Sequence, residues 1–373
     1  MLVTEKPTVI YILPALVTAG AERVVANLAA RLPSRGFDVQ IWSLQRADTP
    51  LAEELRKTGI KVLALNSLRF NSLACGRAIR KALPPQRPLV LHAHLFHANL
   101  AARLALATLR PAERRDIHVF STVHVIERRF RPWQFTLDRL TAKYARAEVC
   151  VSKTVAAYHQ RRTGLPESFF RVIDNGIDLS RFRPAEDKKA GPRYVFSAGR
   201  LDRQKDFPTL LRAWAVVAKE VPDVELRIAG TGAEEAALHQ LARSLDLPRV
   251  KFLGLIQNVP DVLRGASVYV QTSLWEGMPL AVMEAMATGL PVVVTDGDGF
   301  ADVVTHNETG LIAKRQDPVG IADGIIRLLK APDLASTLAK SACAVAHRHF
   351  DVNRMSDQYC GLYRDAITAA GKP

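Results

Sequence analysis

Short apolar runs alternate with longer amphipathic stretches along the whole chain. The apolar runs lie at 8–13, 39–44, 61–65, 89–94, 118–124 and 148–152, then at 194–199, 224–230, 250–254, 266–273 and 291–296. Between the first two runs, residues 21–32 place Val24, Val25, Leu28 and Leu32 at helical spacing. Continuous apolar runs of this length are typical of strands buried in parallel sheets. The pattern therefore predicts an α/β fold of doubly wound sheets, with right-handed crossovers and helices on both faces.

The alternation restarts at Tyr194, after a polar stretch that contains prolines and glycine. We expect a first Rossmann-like domain over 1–180, a linker over 181–192 and a second Rossmann-like domain over 193–350. For segment 351–373 we expect a helix that packs back toward the first domain. A chain of 373 residues agrees with two domains. Ligands are expected in a cleft between them, at the carboxyl ends of the strands.

Composition narrows the class of protein. With 48% hydrophobic residues, the chain is neither disordered nor collagen-like. The four cysteines form no CxxC pair, which predicts a reducing environment without a disulfide framework or a cysteine zinc site. There is no signal-peptide pattern, and no stretch approaches the roughly 18 uncharged apolar residues of a spanning helix. We expect a cytoplasmic protein, at most peripheral on the inner face of the cytoplasmic membrane.

The net charge of +14 is concentrated in one segment, since residues 1–68 carry +2, residues 69–171 carry +13 and residues 172–373 carry −1. The densest cluster contains three arginines and an aromatic residue, Arg128, Arg129, Arg131 and Trp133. It is either a solvated helix face or a patch for anionic lipid headgroups or an acceptor. Nucleic-acid binding is a further alternative, but the aromatic residues do not alternate with basic ones as on a stacking surface.

The stretch SLWEGMPLAVMEAMATGLP, residues 273–291, is the most informative motif. It predicts a loop containing Glu276, then a helix that begins near Pro279 and ends near Gly289. A helix N-terminus attracts phosphate. Glu284 lies in an otherwise apolar helix, where a carboxylate needs a partner such as a ribose diol. The alternative is a solvated Glu276 and a Glu284 that pairs with a base.

A second candidate site follows the strand that opens the second domain, in GRLDRQKD. Arg200 and Lys205 emerge at the carboxyl end of this strand, and two cations supply about the charge that a diphosphate requires. A solvated basic loop is the alternative. The motif contains no carboxylate pair suited to Mg²⁺, so we expect protein cations rather than a metal to neutralise the phosphates, and no cofactor.

The first domain offers Gly20 and a group of histidines. Gly20 lies between the first strand and helix, but there is no GxGxxG motif and no acid after the second strand, which argues against a nicotinamide site. His92, His94 and His97 are expected to line the core or the cleft rather than to bind a metal. His124 ends the fifth strand and could orient a sugar hydroxyl or share developing charge.

These motifs together resemble the retaining nucleotide-sugar glycosyltransferases of family 4 (glycosyl transferases group 1), which have the GT-B fold. The resemblance covers practically the whole chain, from GAERVVANLAARL through VIDNGIDLSRF, SAGRLDRQKDFPTLLRAW, RIAGTGAE and VKFLGLI to EGMPLAVMEAMATGLPVVVTD. Its most specific part joins the Glu276 and Glu284 spacing to the upstream GR…K loop. The loop 296–302, DGDGFAD, departs from the Gly-Gly pair and Glu common in related sequences.

The resemblance implies that domain 1–180 is the acceptor side and that domain 193–350 binds the nucleotide sugar. It also implies roles for individual residues. Arg200 and Lys205 would bind the donor diphosphate, and Glu284 the ribose hydroxyls. Glu276 and His124 would be the catalytic residues and contact the donor sugar. Because the leaving diphosphate is stabilised electrostatically and the acceptor attacks from the same face, no protein nucleophile is expected. Backbone amides would line the phosphates and the sugar at Gly20, Gly277, Met278 and Leu280.

We therefore predict a metal-independent, retaining hexosyltransferase that uses a UDP- or GDP-linked sugar. Its saccharide acceptor is expected to be lipid-linked or part of cell-envelope polysaccharide, exopolysaccharide or lipopolysaccharide biosynthesis. A sugar-nucleotide epimerase of the same fold is the alternative enzyme, and it would isomerise the donor without an acceptor. Phosphorylases of this fold use pyridoxal phosphate and are typically far longer. A basic nucleic-acid-binding protein is the alternative from another class.

Overall fold

Two parallel sheets organise the chain in the computed structural model, which describes residues 6–17, 19–67, 71–185, 192–247 and 249–370. One unit comprises Met1–Gly176 together with Val352–Pro373, and the other comprises Ile177–Asp351. The second unit thus begins ahead of the predicted linker 181–192, and residues 186–191 of that linker lie outside the described residues.

The sheet of the first unit has seven described strands in the order β3-β2-β1-β4-β5-β6-β7, and every pairing in it is parallel. The strands are β1 Thr8–Leu13, β2 Asp38–Ser43, β3 Lys61–Ala64, β4 Leu89–His94, β5 Ile117–Val123, β6 Ala147–Cys150 and β7 Phe170–Val172. The helices are α1 Gly20–Ala29, α2 Pro50–Lys57, α3 Ser72–Ala82, α4 Phe96–Ala107, α5 Pro111–Arg114, α6 Pro132–Thr141 and α7 Lys153–Thr163. The order reverses between β1 and β4, as in doubly wound folds.

The sheet of the second unit has six described strands in the order β10-β9-β8-β11-β12-β13, again parallel. The strands are β8 Tyr194–Ala198, β9 Glu225–Ala229, β10 Val250–Phe252, β11 Val268–Gln271, β12 Val292–Thr295 and β13 Leu311–Ala313. The helices are α8 Phe207–Glu220, α9 Glu235–Ser244, α10 Val259–Gly265, α11 Leu280–Ala287, α12 Pro318–Lys330 and α13 Pro332–His349. Here the order reverses between β8 and β11.

The last described helix, α14 (Val352–Ala370), belongs to the first unit and packs against α1. Tyr359 and Tyr363 are buried, while Asp357 accepts a 2.6 Å hydrogen bond from Nε of Arg35. The predicted return of the C-terminal segment to the first domain thus agrees with the assignment of this helix to the first unit. Among the described helices, none combines the length and apolarity needed to cross a membrane.

Each predicted apolar run forms a strand, with ends that differ by at most two residues. Central strands such as β1, β4 and β5 are buried throughout because helices cover both faces. The sequence pattern missed β7 and β13, which have three residues each and lie at the ends of their sheets. Runs of three residues are too short to show a periodicity.

Candidate functional site

Three loops meet at the carboxyl edge of the second sheet because they follow β8, β11 and β12. Thr272 in the second loop donates from Oγ1 to the carbonyl oxygens of Lys205 and Asp206 in the first, at 3.0 Å each. Thr295, at the end of β12, donates to the carbonyl oxygen of Ser273 at 2.7 Å. Hydroxyl groups at strand ends therefore join loops that are distant in sequence.

Two glycines let loops at this edge approach each other more closely than a side chain would permit, one in the loop after β9 and one in the loop after β12. A Cβ on Gly230 would lie 1.9 Å from the carbonyl oxygen of Gly199, and Gly230 has a φ of +132°. Gly299, with a φ of +87°, lies so close that a Cβ would come within 2.8 Å of the carbonyl oxygen of Glu276. Both positions require a left-handed backbone as well as the space, which favours glycine.

Lys205 and Glu276 form an ion pair at the centre of this edge. Nζ of Lys205 donates to Oε1 of Glu276 at 2.6 Å, and the two side chains are 16% and 10% exposed. The aliphatic part of Lys205 lies against Gly199, where a Cβ would be 3.1 Å from its Cε. The cation and the carboxylate thus contact each other in the structure. The sequence analysis predicted each of them as a ligand-binding group.

A hydrogen-bonded chain through Tyr269 and Gln271 holds this carboxylate from the other side. The buried Tyr269 hydroxyl donates to Oε1 of Gln271 at 2.9 Å, which orients the amide so that Nε2 donates to Oε1 of Glu276 at 2.8 Å. Burial raises the pKa of Tyr269, and the carboxylates of Glu284 and Glu276 add to the shift, so the hydroxyl keeps its proton. The sequence analysis missed Gln271; its signal is one amide in the apolar strand VYVQ.

Helix α11 carries the remaining predicted groups of this motif. Glu284 is half-buried in its second turn and is the one acidic residue of LAVMEAMA. Gly277 and Met278 are buried and Leu280 begins the helix. The amide of Glu276 itself donates to the carbonyl oxygen of Asp298 at 2.8 Å, so it already has an acceptor.

The side chains of Arg200 and Asp296 form ion pairs of their own and do not join the central pair. The Arg200 side chain is 64% exposed and contacts Oδ2 of Asp202 at 3.4 Å. Asp296 accepts from the backbone N–H of Arg315 at 2.7 Å and pairs with its guanidinium. The structure therefore brings Lys205 and Glu276 together but leaves Arg200 at the surface, where it could turn toward a ligand.

In the first unit, His124 lies in the loop after β5 and is half-buried. Its Nε2 lies 2.9 Å from Nδ1 of His94, the buried last residue of β4. Burial lowers the pKa of His124 to about 4, so its ring is neutral at pH 7. Gly20 is the exposed first residue of α1, and the preceding Ala19 provides no side-chain cap.

The predicted basic cluster is at the surface of the first unit. Arg128, Arg129 and Arg131 are exposed. Trp133, in the first turn of α6, is 51% exposed and has its ring 6.2 Å from that of Phe96. Seven residues further along α6, Leu140 is 63% exposed, and the sequence analysis did not include it. The described surface thus presents cations beside two large apolar side chains.

The described residues contain no group of three or more His, Cys, Asp or Glu side chains placed to hold a metal ion.

Comparison with known proteins gives consistent matches over both halves of the chain. The family model described as Glycosyltransferase Family 4 matches residues 18–181, and the one described as Glycosyl transferases group 1 matches residues 179–344. An uncharacterized glycosyltransferase of Haemophilus influenzae is 29% identical over 92% of this chain and 96% of its own. The UDP-Gal:alpha-D-GlcNAc-diphosphoundecaprenol alpha-1,3-galactosyltransferase of Escherichia coli is 24% identical over 94% of each chain.

Among solved structures, Anabaena HepE in complex with UDP and glucose superposes with a TM-score of 0.81. It is 20% identical to this chain and the match covers 95% of this chain and 98% of HepE. At that level of identity the likeness establishes the fold.

Proposed function

The chain belongs to the family 4 glycosyltransferases of group 1 and has their GT-B fold, and on that premise we propose that it is a retaining hexosyltransferase. The donor is a UDP- or GDP-linked hexose, and the acceptor is a saccharide carried on a lipid diphosphate in cell-envelope polysaccharide biosynthesis. The similarity to a galactosyltransferase named for a diphosphoundecaprenol acceptor supports the lipid-linked class. HepE, whose fold this chain shares, binds UDP, which supports UDP as the first donor to test.

The observation that carries the proposal is the largely buried ion pair of Lys205 and Glu276. An ammonium has three N–H donors, so Lys205 can bond Glu276 and still offer donors to phosphate oxygens. Arg200, exposed on the same loop, adds a second cation for the diphosphate. Glu276 accepts from sugar hydroxyls, and Glu284 from the ribose diol.

In this proposal, the main catalytic effect is electrostatic stabilisation of the leaving diphosphate. Negative charge develops on the leaving diphosphate as the bond to the sugar breaks. Lys205, which the fold already holds in place, stabilises this charge together with Arg200 once Arg200 turns toward the ligand. Backbone amides of Gly20, Gly277, Met278 and Leu280 line the phosphates and the sugar. His124, neutral because burial lowers its pKa to about 4, contacts the sugar. The acceptor attacks from the face that the diphosphate leaves, and neither a metal nor a cofactor takes part.

Incubation of the purified protein with UDP- and GDP-hexoses and a polyprenyl-diphosphate-linked saccharide tests this activity. We expect a glycosylated acceptor with the anomeric configuration of the donor, determined by NMR, and an unchanged rate in EDTA. An inverted product would overturn the retaining mechanism, and loss of activity in EDTA would overturn metal independence. Isomerised donor in the absence of acceptor would support an epimerase instead.

Variants of the site test the residue assignments. Lys205→Ala and Glu284→Ala should each lose most of the transfer activity while the protein stays folded by circular dichroism. Arg203→Ala, which removes an exposed cation from the same short helix of residues 203–205, is the matched control and should retain activity. Near-normal activity in either site variant would contradict the donor site.

We also propose that the basic cluster docks on an anionic membrane, where a lipid-linked acceptor is found. Arg128, Arg129 and Arg131 would contact headgroups while Trp133 and Leu140 enter the interface. Changing the three arginines to Ser should release the protein from phosphatidylglycerol liposomes without loss of donor binding. The control removes three other exposed cations of the same unit, Arg77, Lys81 and Arg115. Equal sedimentation of both triple variants would contradict this surface.

A further inference from the structure

His94 and His124 form a hydrogen bond whose direction determines what His124 can offer a ligand. Nδ1 of His94 and Nε2 of His124 lie 2.9 Å apart, and their rings are 5.1 Å apart between centroids. We propose that His94 is a positioning residue that donates this hydrogen bond and thereby holds His124 as the tautomer with its proton on Nδ1. The catalytic consequence rests on the proposed function, whereas the tautomer can be measured without it.

The surroundings of His94 decide which of its nitrogens carries the proton. The residue is fully buried, and its Nε2 has no hydrogen-bond partner among the described residues. A buried N–H without an acceptor is rarer and costlier than a buried lone pair. The single proton of a neutral His94 is therefore on Nδ1, which faces Nε2 of His124.

The protonation state of both rings completes the argument. Burial lowers the pKa of His94 well below its usual value, with smaller contributions from His92 and His124, and lowers that of His124 to about 4. Both imidazoles are therefore neutral at pH 7 and each carries one proton. Since Nε2 of His124 accepts the bond from His94, its own proton is on Nδ1.

The ring of His94 is held in place by the residues beneath it. It stacks on His92 at 4.6 Å with an interplanar angle of 17°, and the Tyr11 ring lies 5.5 Å away. His92 is in turn fixed by the Tyr363 hydroxyl at 2.6 Å and the Thr122 hydroxyl at 2.7 Å. A ring flip of His94, which would exchange its two nitrogens, would therefore disturb a packed aromatic stack.

The tautomer determines the chemistry that His124 brings to the sugar. A ring with Nδ1–H donates a hydrogen bond to a sugar oxygen from that nitrogen, and the nitrogen that could accept a proton is already engaged by His94. His124 therefore acts as a neutral hydrogen-bond donor and not as a general base. Substrate discrimination then follows from whether the sugar places an acceptor oxygen at this point.

The test combines an NMR measurement with a pair of variants. Long-range ¹H–¹⁵N spectra of histidine-labelled protein distinguish the two tautomers, and His124→Gln identifies the His124 signals. We expect the Nδ1–H tautomer in the wild type and in His94→Asn, whose amide N–H replaces the donor. His94→Phe, which has no donor, should show a mixture or the Nε2–H form. A wild-type His124 in the Nε2–H form would overturn the proposal.

Activity supplies the second measurement. His94→Phe should reduce kcat/KM by about tenfold, the effect of losing one buried hydrogen bond's orientation, and His94→Asn should stay within about threefold of the wild type. If the wild type transfers sugar while its His124 is the Nε2–H tautomer, the positioning role fails and the proposed function stands. If the tautomer is as expected but the wild type transfers no sugar from any donor, the proposed function fails and the tautomer assignment stands. Full activity in a folded His94→Phe whose His124 tautomer has changed would overturn the positioning role of His94 in transfer.

Discussion

Nζ of Lys205 lies 2.6 Å from Oε1 of Glu276, although 71 residues separate them in the sequence. Lys205 follows β8 and Glu276 follows β11, and these strands are neighbours in a parallel sheet. Because parallel neighbours end at the same edge, the fold brings the two loops together before any ligand is present. The pair is therefore part of the folded structure as well as of the proposed donor site.

The dual role of this pair predicts that stability and activity separate in a double variant. Lys205→Met leaves the Glu276 carboxylate without its cation and should lower the free energy of unfolding by about 2–3 kcal/mol, less than for a fully buried pair because both side chains retain some exposure. Adding Glu276→Gln should restore at least half of this loss without restoring transfer. Urea unfolding and a transfer assay measure the two effects.

Arg200→Met, whose pair with Asp202 is exposed, is the control and should change stability by less than about 0.5 kcal/mol. A double variant no more stable than Lys205→Met would contradict the structural role.

The sequence predicted that the site residues of the second unit lie at the carboxyl edge of its sheet. It did not predict which of these side chains contact each other. The sequence analysis assigns Lys205 and Glu276 each to a ligand, since each follows the carboxyl end of a predicted strand. Their direct contact depends on side-chain conformations that no periodicity encodes. Gln271 was missed for a related reason, because one amide in a buried strand is interpreted as part of the strand.

In the first unit, the sequence analysis set His124 apart from the group of His92, His94 and His97, whereas the structure joins His94 to His124. His92 bonds Tyr363, 271 residues later in the chain, whereas His94 bonds His124. The helix that carries Tyr363 is predicted from the sequence as a terminal segment without a following strand. Which strand residues it contacts depends on where the chain returns, and that is set by long-range packing.

A second prediction concerns a buried ionic network that the sequence analysis did not identify. Arg103 on α4 donates to Oε2 of Glu148 on β6 at 2.6 Å and to Oδ1 of Asp138 on α6 at 3.1 Å. His159 on α7 contacts Oε1 of Glu148 at 2.5 Å. Burial alone would raise the pKa of Glu148, but His159 and Arg103 outweigh it and lower this pKa to about 2.

Removing the arginine should therefore destabilise the first unit strongly. Arg103→Met leaves two buried carboxylates with His159 as their remaining partner and should lower the free energy of unfolding by about 3–5 kcal/mol, measured by urea titration. Arg23→Met, which breaks the surface pair with Glu54, is the control and should cost less than about 1 kcal/mol. If Arg103→Met does not fold, Arg103→Lys keeps the charge without the fork and gives a measurable partial loss. Equal effects of the Arg103 and Arg23 variants would disprove the importance of the network.

A third prediction concerns pH and Glu127, in the loop between His124 and the basic cluster. Burial raises the pKa of Glu127 to about 7 from a usual 4.5, and Asp138 adds to the shift. Between pH 4.5 and 7 the folded chain thus keeps a proton that the unfolded chain has released, so this group reduces stability as the pH rises through that window.

Glu127→Gln should leave stability unchanged near pH 4.5 and increase it by about 1–3 kcal/mol at pH 7.5. Unfolding at several pH values measures the difference, with exposed Glu53→Gln as the control. A difference that does not vary with pH would contradict the assignment.

The hydroxyl of Tyr363 provides a fourth prediction, because it joins α14 to the strands of the first unit. It donates to the Tyr11 hydroxyl at 3.3 Å, so Nδ1–H of His92 is left to donate to Tyr363 at 2.6 Å. Tyr363→Phe keeps the ring but leaves this buried N–H without its acceptor, which should lower the free energy of unfolding by about 1–3 kcal/mol in a urea titration. The control is Tyr158→Phe, whose half-buried hydroxyl donates to the carbonyl oxygen of Glu127 at 3.4 Å and should matter much less. Because His92 stacks under His94, the same variant should also broaden the His124 signals in the tautomer experiment. A fully stable Tyr363→Phe would mean that apolar packing alone holds α14 to its unit.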